Sequence, residues 1–170
     1  MKRFLYLISP GKINQKFYRD LNKVLSSKKV KYFQLRLKRY SNPKVVKIGK
    51  KIRVITKKNK VKLIINDSPI LAKKIKADGC HIGQSDCSIK EAKNILNKNE
   101  IIGITCHGSK KLILEAVKEK PSYLALGSFF KSSLKPRAKK AQKKLIRWSK
   151  ERTNLPIVAI GGINNKNYKS

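Results

Sequence analysis

Short apolar runs recur along this chain, each closing on polar residues or glycine and each followed by a stretch of helical periodicity. The clearest unit reads VKLIINDSPILAKKIKADGCHIGQSD at residues 61–86. In it a strand ends in Asn66-Asp67, a short helix follows, and a second strand ends in Gly83-Gln84 with Asp86 just beyond. Runs that are apolar almost throughout suit parallel strands covered on both faces. Alternation with helices then leaves an α/β protein, either an open doubly wound sheet or a barrel.

The pattern predicts strands over residues 4–9, 31–38, 63–66, 80–83, 101–106, 123–130 and 156–160. Between them, residues 14–27 place Phe17, Leu21, Val24 and Leu25 at helical spacing, and Val45, Ile48, Ile52 and Ile55 form a second apolar face. Ser68-Pro69 reads as a serine N-cap with proline in the first helical position, and Ser88 with Glu91 as a capping box. A helix over residues 109–118 follows the fifth strand, and Ala138, Ala141, Leu145 and Trp148 make the buried stripe of the next. No G-x-G-x-x-G follows any strand, which counts against a dinucleotide-binding open sheet. Polar and glycine strand ends favour a (β/α)₈ TIM barrel, whose chemistry gathers at the C-terminal ends of its strands. At 170 residues one domain is expected, spanning 1–170.

Composition narrows the function classes. No apolar run approaches the roughly 18 residues of a membrane span. The opening MKRFLYLISPGKIN has a basic start, but its apolar run at 4–8 is shorter than a signal-peptide core and no small-residue cleavage site follows. Cys80, Cys87 and Cys106 are an odd set without zinc-type spacing. A cytoplasmic protein without a membrane partner is expected, with homo-oligomerisation left open. A net charge of +34 favours contact with polyanions in general. The lysines are nevertheless spread through nearly every helix and accompany no nucleic-acid motif, so they read as solvated faces and no specific nucleic-acid partner is expected.

The strand ends carry the chemistry. Gln34, Arg36 and Lys38 fall at i, i+2 and i+4, which puts an amide, a guanidinium and an ammonium on one face of a strand. Inside a barrel such a face needs compensation, which a phosphate or diphosphate supplies. On an edge strand the same alternation is simply solvated. Asp67 and Asp86 stand out in a chain with nine acidic residues. Magnesium commonly takes one or two protein carboxylates and completes its shell with water and phosphate oxygens. The plainer reading of Asp67 is help in capping the next helix. Gly161-Gly162 after the last strand could bring backbone N–H groups onto a phosphate or form a tight turn. Thr105 and His107 are expected on one face at the end of strand five, the histidine as a general base or as a structural hydrogen-bonding group.

Taken in order, QLRLK at 34–38, IND at 65–67, ADGCHIGQSD at 77–86, IIGITCH, YLALGSFF and PIVAIGGIN resemble thiamine phosphate synthase. The related thiazole tautomerase shares the fold and many of these segments. The resemblance implies a magnesium-dependent transferase of thiamine biosynthesis that joins hydroxymethylpyrimidine diphosphate to a thiazole phosphate. Diphosphate leaves first, and the thiazole nitrogen captures the pyrimidine cation. It also implies that Asp67 and Asp86 hold Mg2+, that Arg36, Lys38 and Lys135 grip the diphosphate, and that Gln34, Asn66 and Thr105 address the pyrimidine. Ser132, Ser133 and Gly162 are implied at the thiazole phosphate. The carboxylate pair and the cation set favour the synthase over the tautomerase, which expels no diphosphate.

Departures from the family pattern are visible. The loop after strand six reads KSSLKP where threonine-x-threonine-lysine is usual, so Leu134 replaces a hydroxyl, and Thr105 stands where serine is common. The chain ends at Ser170 without an eighth strand, and a fragment or truncated form is the expectation. A polyanion-binding barrel remnant without activity is the alternative from a different class.

Overall fold

The computed structural model describes residues 4–131 and 140–168. They form two compact units. One runs to Ile82 and resumes over Asp86–Ile101, and the other comprises Gly83–Ser85 and the chain from Ile102 onward.

In the first unit β1 (Leu5–Ile8), β2 (Val30–Leu35), β3 (Lys62–Asn66) and β4 (Gly79–Ile82) alternate with α1 (Gln15–Leu25), α2 (Asn42–Lys58), α3 (Pro69–Ile75) and α4 (Ile89–Ile95). The strands pair in chain order, all parallel. Leu63, Ile64 and Ile65 are each at most 1% exposed, so both faces of β3 are covered. Each such side chain contributes roughly 1.5–3 kcal/mol by its burial. Three of these four helices start where a side chain accepts from their first N–H groups, while α2 begins at Ser41 without such a bond and carries proline in its first turn. The Asn14, Ser68 and Ser88 side chains accept from the backbone of Phe17, Leu71 and Glu91, and Glu91 returns the capping box to Ser88.

The second unit contains β5 (Ile101–His107, its first residue still in the first unit), α5 (Lys110–Lys118), β6 (Tyr123–Leu126), α6 (Lys144–Lys150) and β7 (Ile157–Ala159). Here too β5, β6 and β7 pair in order and parallel. Every residue of β6 is buried. Among the described residues no helix is long and apolar enough to cross a membrane.

Three expectations change in detail. The second strand stops at Leu35, not at residue 38, because the Arg36 N–H turns to the Ser9 hydroxyl instead of a neighbouring strand. The sixth strand closes at Leu126, although Phe129 and Phe130 still bond to the carbonyls of Ile160 and Gly161. The following helix begins at Lys144, so of its expected buried stripe Ala141 precedes it, Ala138 lies outside the described residues and Trp148 is only half-buried, while Leu145 is buried as read.

Candidate active site

In the first unit the polar strand ends are held by a framework of main-chain contacts. Gln34, near the end of β2, is only 4% exposed, and its amide nitrogen donates to the Tyr6 hydroxyl at 3.1 Å. That bond tethers the Gln34 side chain to β1. Beyond the strand, Ser9 Oγ accepts from the Arg36 N–H at 2.9 Å and donates to the Arg36 carbonyl at 3.4 Å. The backbone that carries the guanidinium is therefore pinned to the end of β1. Leu35 and Leu37 are buried and Arg36 is half-buried, so the alternation outlives the strand by two residues. Lys38 is exposed, and its ammonium lies 3.1 Å from Asp67 Oδ2.

Asn66 closes β3 and Asp67 follows with φ +67°, in the left-handed region. Its N–H donates to the His81 carbonyl on β4 at 2.7 Å, and the Ser68 N–H bonds back to the Asn66 carbonyl at 2.9 Å. Aspartate tolerates this conformation better than most residues. The turn brings its carboxyl to Lys38 and beside Asp86, which lies just past β4. Burial raises the proton affinity of Asp67 above the ordinary carboxyl range. The Lys38 hydrogen bond opposes that rise, and the adjacent Asp86 carboxylate adds to it. Two carboxyl groups side by side supply the hard oxygen donors that a divalent cation takes. The donor set thus fits magnesium. Among the described residues no third histidine, cysteine or acidic residue joins the pair.

In the second unit, Thr105 on β5 is half-buried, and its carbonyl accepts from the Gln84 side-chain amide. A bulge then places Thr105 opposite Ala125 and His107 opposite Leu126, and His107 turns to φ +50°. Strict alternation fails there, so sharing a face with Thr105 no longer follows from spacing, and His107 is exposed. After β7, Gly161 and Gly162 have φ of +91° and +69°. A Cβ on Gly162 would stand 2.4 Å from the Lys131 carbonyl oxygen. Its own carbonyl accepts from Asn167 at 2.9 Å and Asn164 at 3.3 Å. Ser132, Ser133, Leu134 and Lys135 lie outside the described residues.

Sequence reasoning assigned no role to Tyr6, Ser9 or the His81 carbonyl. Ser9 carried a signal, a hydroxyl at the end of an apolar run, but its partner sits 27 residues away. Gln84 reads in sequence as a strand-end amide, and its partner is the Thr105 carbonyl.

A family model described as thiamine monophosphate synthase matches residues 5–170. A thiamine-phosphate synthase of Pelagibacter ubique is 52% identical over 99% of this chain and 81% of its own length. The chain belongs to the thiamine monophosphate synthase family. A further relative of that name, from Erythrobacter litoralis, is 37% identical over 96% of this chain and 78% of its own length. The solved thiamine phosphate pyrophosphorylase of Pyrococcus furiosus, 30% identical, superposes with a TM-score of 0.84, covering 96% of this chain and 77% of that one. The fold is accordingly that of the TIM barrels, with seven parallel strands among the described residues. Membership in the thiamine monophosphate synthase family makes the chain a transferase.

Proposed function

We propose that this chain condenses hydroxymethylpyrimidine diphosphate with a thiazole phosphate to give thiamine phosphate and diphosphate. The observation that carries the reading is the Lys38–Asp67–Asp86 cluster at the ends of β3 and β4, in a chain 52% identical to a thiamine-phosphate synthase.

Asp67 and Asp86 are the residues that would hold magnesium. When bound, the ion supplies positive charge against the diphosphate leaving group. Arg36 is assigned to the same diphosphate. Its guanidinium can take two phosphate oxygens at once, and the Ser9 clamp keeps its backbone in place while charge builds on the leaving group. Lys38 begins on Asp67 and can share its remaining N–H groups with phosphate oxygens. Gln34, tethered by Tyr6, and Asn66 are assigned to the pyrimidine, with Thr105. A pinned amide holds the ring at a fixed angle while its exocyclic carbon loses diphosphate, which keeps that carbon ready for the thiazole nitrogen. Gly162 is assigned to the thiazole phosphate, where the absence of a Cβ lets an anion approach the backbone. Ser132 and Ser133 are assigned to the thiazole phosphate and Lys135 to the diphosphate, on the family resemblance alone. Both substrates are phosphorylated and do not cross bilayers unaided, so the reaction is placed in the cytoplasm.

The test is thiamine phosphate formation by the purified chain from both substrates, in magnesium and again with a chelator. Product that appears only with magnesium supports the reading. A folded chain that yields none in either condition overturns it.

A further inference from the structure

A second cluster of charge lies at the opposite ends of the strands in the first unit, where β3 and β4 begin. Asp78, immediately before β4, holds it together. One of its carboxylate oxygens accepts from the Leu63 N–H at 2.9 Å and lies 3.3 Å from the Arg53 guanidinium, and the other lies 3.1 Å from the Lys62 ammonium. Arg53 also donates through Nε to the Lys76 carbonyl at 2.7 Å, at the left-handed C-cap of α3. Lys73 reaches the Ile95 carbonyl at the end of α4 at 3.1 Å. The backbone beneath is equally fixed, since the Ile101 N–H bonds to the Asp78 carbonyl at 2.8 Å. Gly79 runs so close to Ile101 that a Cβ there would lie 1.9 Å from its carbonyl oxygen.

Arg53, Lys62, Lys73, Lys76 and Asp78 line an open cleft of about 760 Å³, together with Asn97 and Asn99. Arg53, Lys62, Lys73 and Lys76 face only two carboxylates, Asp78 and Glu100, so positive charge is in excess. Glu100 is itself engaged by the Asn97 N–H at 2.7 Å. Strand-to-strand stitching accounts for Asp78 and Arg53. It does not account for Lys73 and Lys76, which no carboxylate pairs among the described residues. Lys73 uses one of its three N–H donors on Ile95, and the remaining donors can serve a ligand.

We propose that this cleft is a second anion site, one that takes a phosphate group. Lys73 and Lys76 contact the phosphate oxygens, Arg53 and Lys62 supply fixed positive charge behind them, and Asn97 and Asn99 meet whatever polar body the phosphate carries. None of these residues belongs to the Asp67–Asp86 cluster, so occupancy here needs no magnesium and is independent of the transfer reaction.

Amide chemical shifts of the full chain, titrated in chelator with inorganic diphosphate and separately with ADP, test this. The expected result is saturable movement at the Asp78, Gly79 and Ile101 amides, with affinity falling roughly tenfold or more in a Lys73→Gln/Lys76→Asn double variant. Glutamine retains a donor for Ile95, and asparagine suits the left-handed position at 76, so both changes spare the fold. Tighter saturation by ADP identifies a nucleotide-like ligand, and equal saturation identifies the bare phosphate group as what is recognised. Shifts that never saturate, that spread evenly over the lysine-rich surface, or that survive the double variant overturn the proposal. Thiamine phosphate formation by the double variant should match the unaltered chain, which separates failure here from failure of the assigned reaction.

Discussion

Asp67 combines three unfavourable conditions: a left-handed backbone, partial burial and a carboxylate neighbour. A residue held against its preferences by surrounding hydrogen bonds is a position at which to test for a functional role. Asp67→Asn keeps the shape and the tolerance for positive φ while removing the charge. Its magnesium affinity should fall at least about tenfold and its rate of thiamine phosphate formation about 10²–10³-fold, the scale of losing a charge-stabilising group. Without metal at neutral pH it should melt no lower than the unaltered chain, because the substitution removes a desolvated carboxylate beside Asp86. Titration calorimetry with magnesium and thermal melting in chelator read the two effects separately, and a lowered melting temperature in chelator would show that Asp67 is structural first. Ser9→Ala tests the clamp on Arg36. It should lower kcat more than it raises KM, since the guanidinium remains present but loses its fixed backbone. Steady-state kinetics on the pyrimidine substrate decide it. Gly162→Ala should cost about 1–2 kcal/mol from the positive φ alone, in addition to the collision with the Lys131 carbonyl, measured by denaturant unfolding.

Two strands, β4 and β5, each bury a cysteine whose ionisation is suppressed. Burial pushes the Cys80 and Cys106 thiols up to about 12, from an ordinary value of 9.0. In the unfolded chain both ionise near their ordinary value, while in the folded chain both keep their protons. The unfolded state therefore binds fewer protons over that interval, and stability is lost as pH rises through it, by up to roughly 1.4 kcal/mol per thiol per pH unit. Comparing urea unfolding of the unaltered chain with a Cys80→Ala/Cys106→Ala variant at successive pH values above about 8.5 isolates this slope, which should be shallower in the variant. Identical slopes would mean that the thiols ionise in place. Buried strands and local helix caps were the parts most legible from sequence. A run such as Leu63-Ile64-Ile65 has one way to bury every side chain, and caps such as Ser68 and Ser88 act within three residues of themselves. What sequence did not disclose depends on partners far along the chain. The end of β2 is decided by Ser9, and the bulge before His107 by the register of β6. The same distinction holds for the site: Asp67 and Asp86 were visible as scarce acids at strand ends, whereas Tyr6 and Ser9, which tether Gln34 and Arg36, become recognisable only once β1 lies beside β2.

For the molecule as a whole, charge is the dominant long-range term. Forty-three lysines and arginines face nine acidic residues, and some acids are already shared, as Asp78 is between Arg53 and Lys62. Local pairing cannot neutralise the excess, so the folded state carries self-repulsion that the expanded unfolded chain relieves. Salt should therefore stabilise this protein, even though it weakens individual pairs such as Lys111–Glu115, because exposed pairs of that kind are worth less than about 1 kcal/mol each. Raising ionic strength from about 0.01 M to 0.15 M shortens the screening length from roughly 30 Å to 8 Å, and the melting temperature should climb by several degrees. The helix α2 offers a sharper form of the test, since it carries Lys44, Lys47, Lys50 and Lys51 with no acidic residue. Lys47→Glu places an acid four residues before Lys51, the favourable order on a helix, and lowers the net charge by two. At low salt it should raise the melting temperature, and at high salt the gain should shrink towards the few tenths of a kcal/mol of a single helical pair. A gain that stayed constant across salt concentrations would place its origin in the helix alone, and self-repulsion would then not be what limits the stability of this chain.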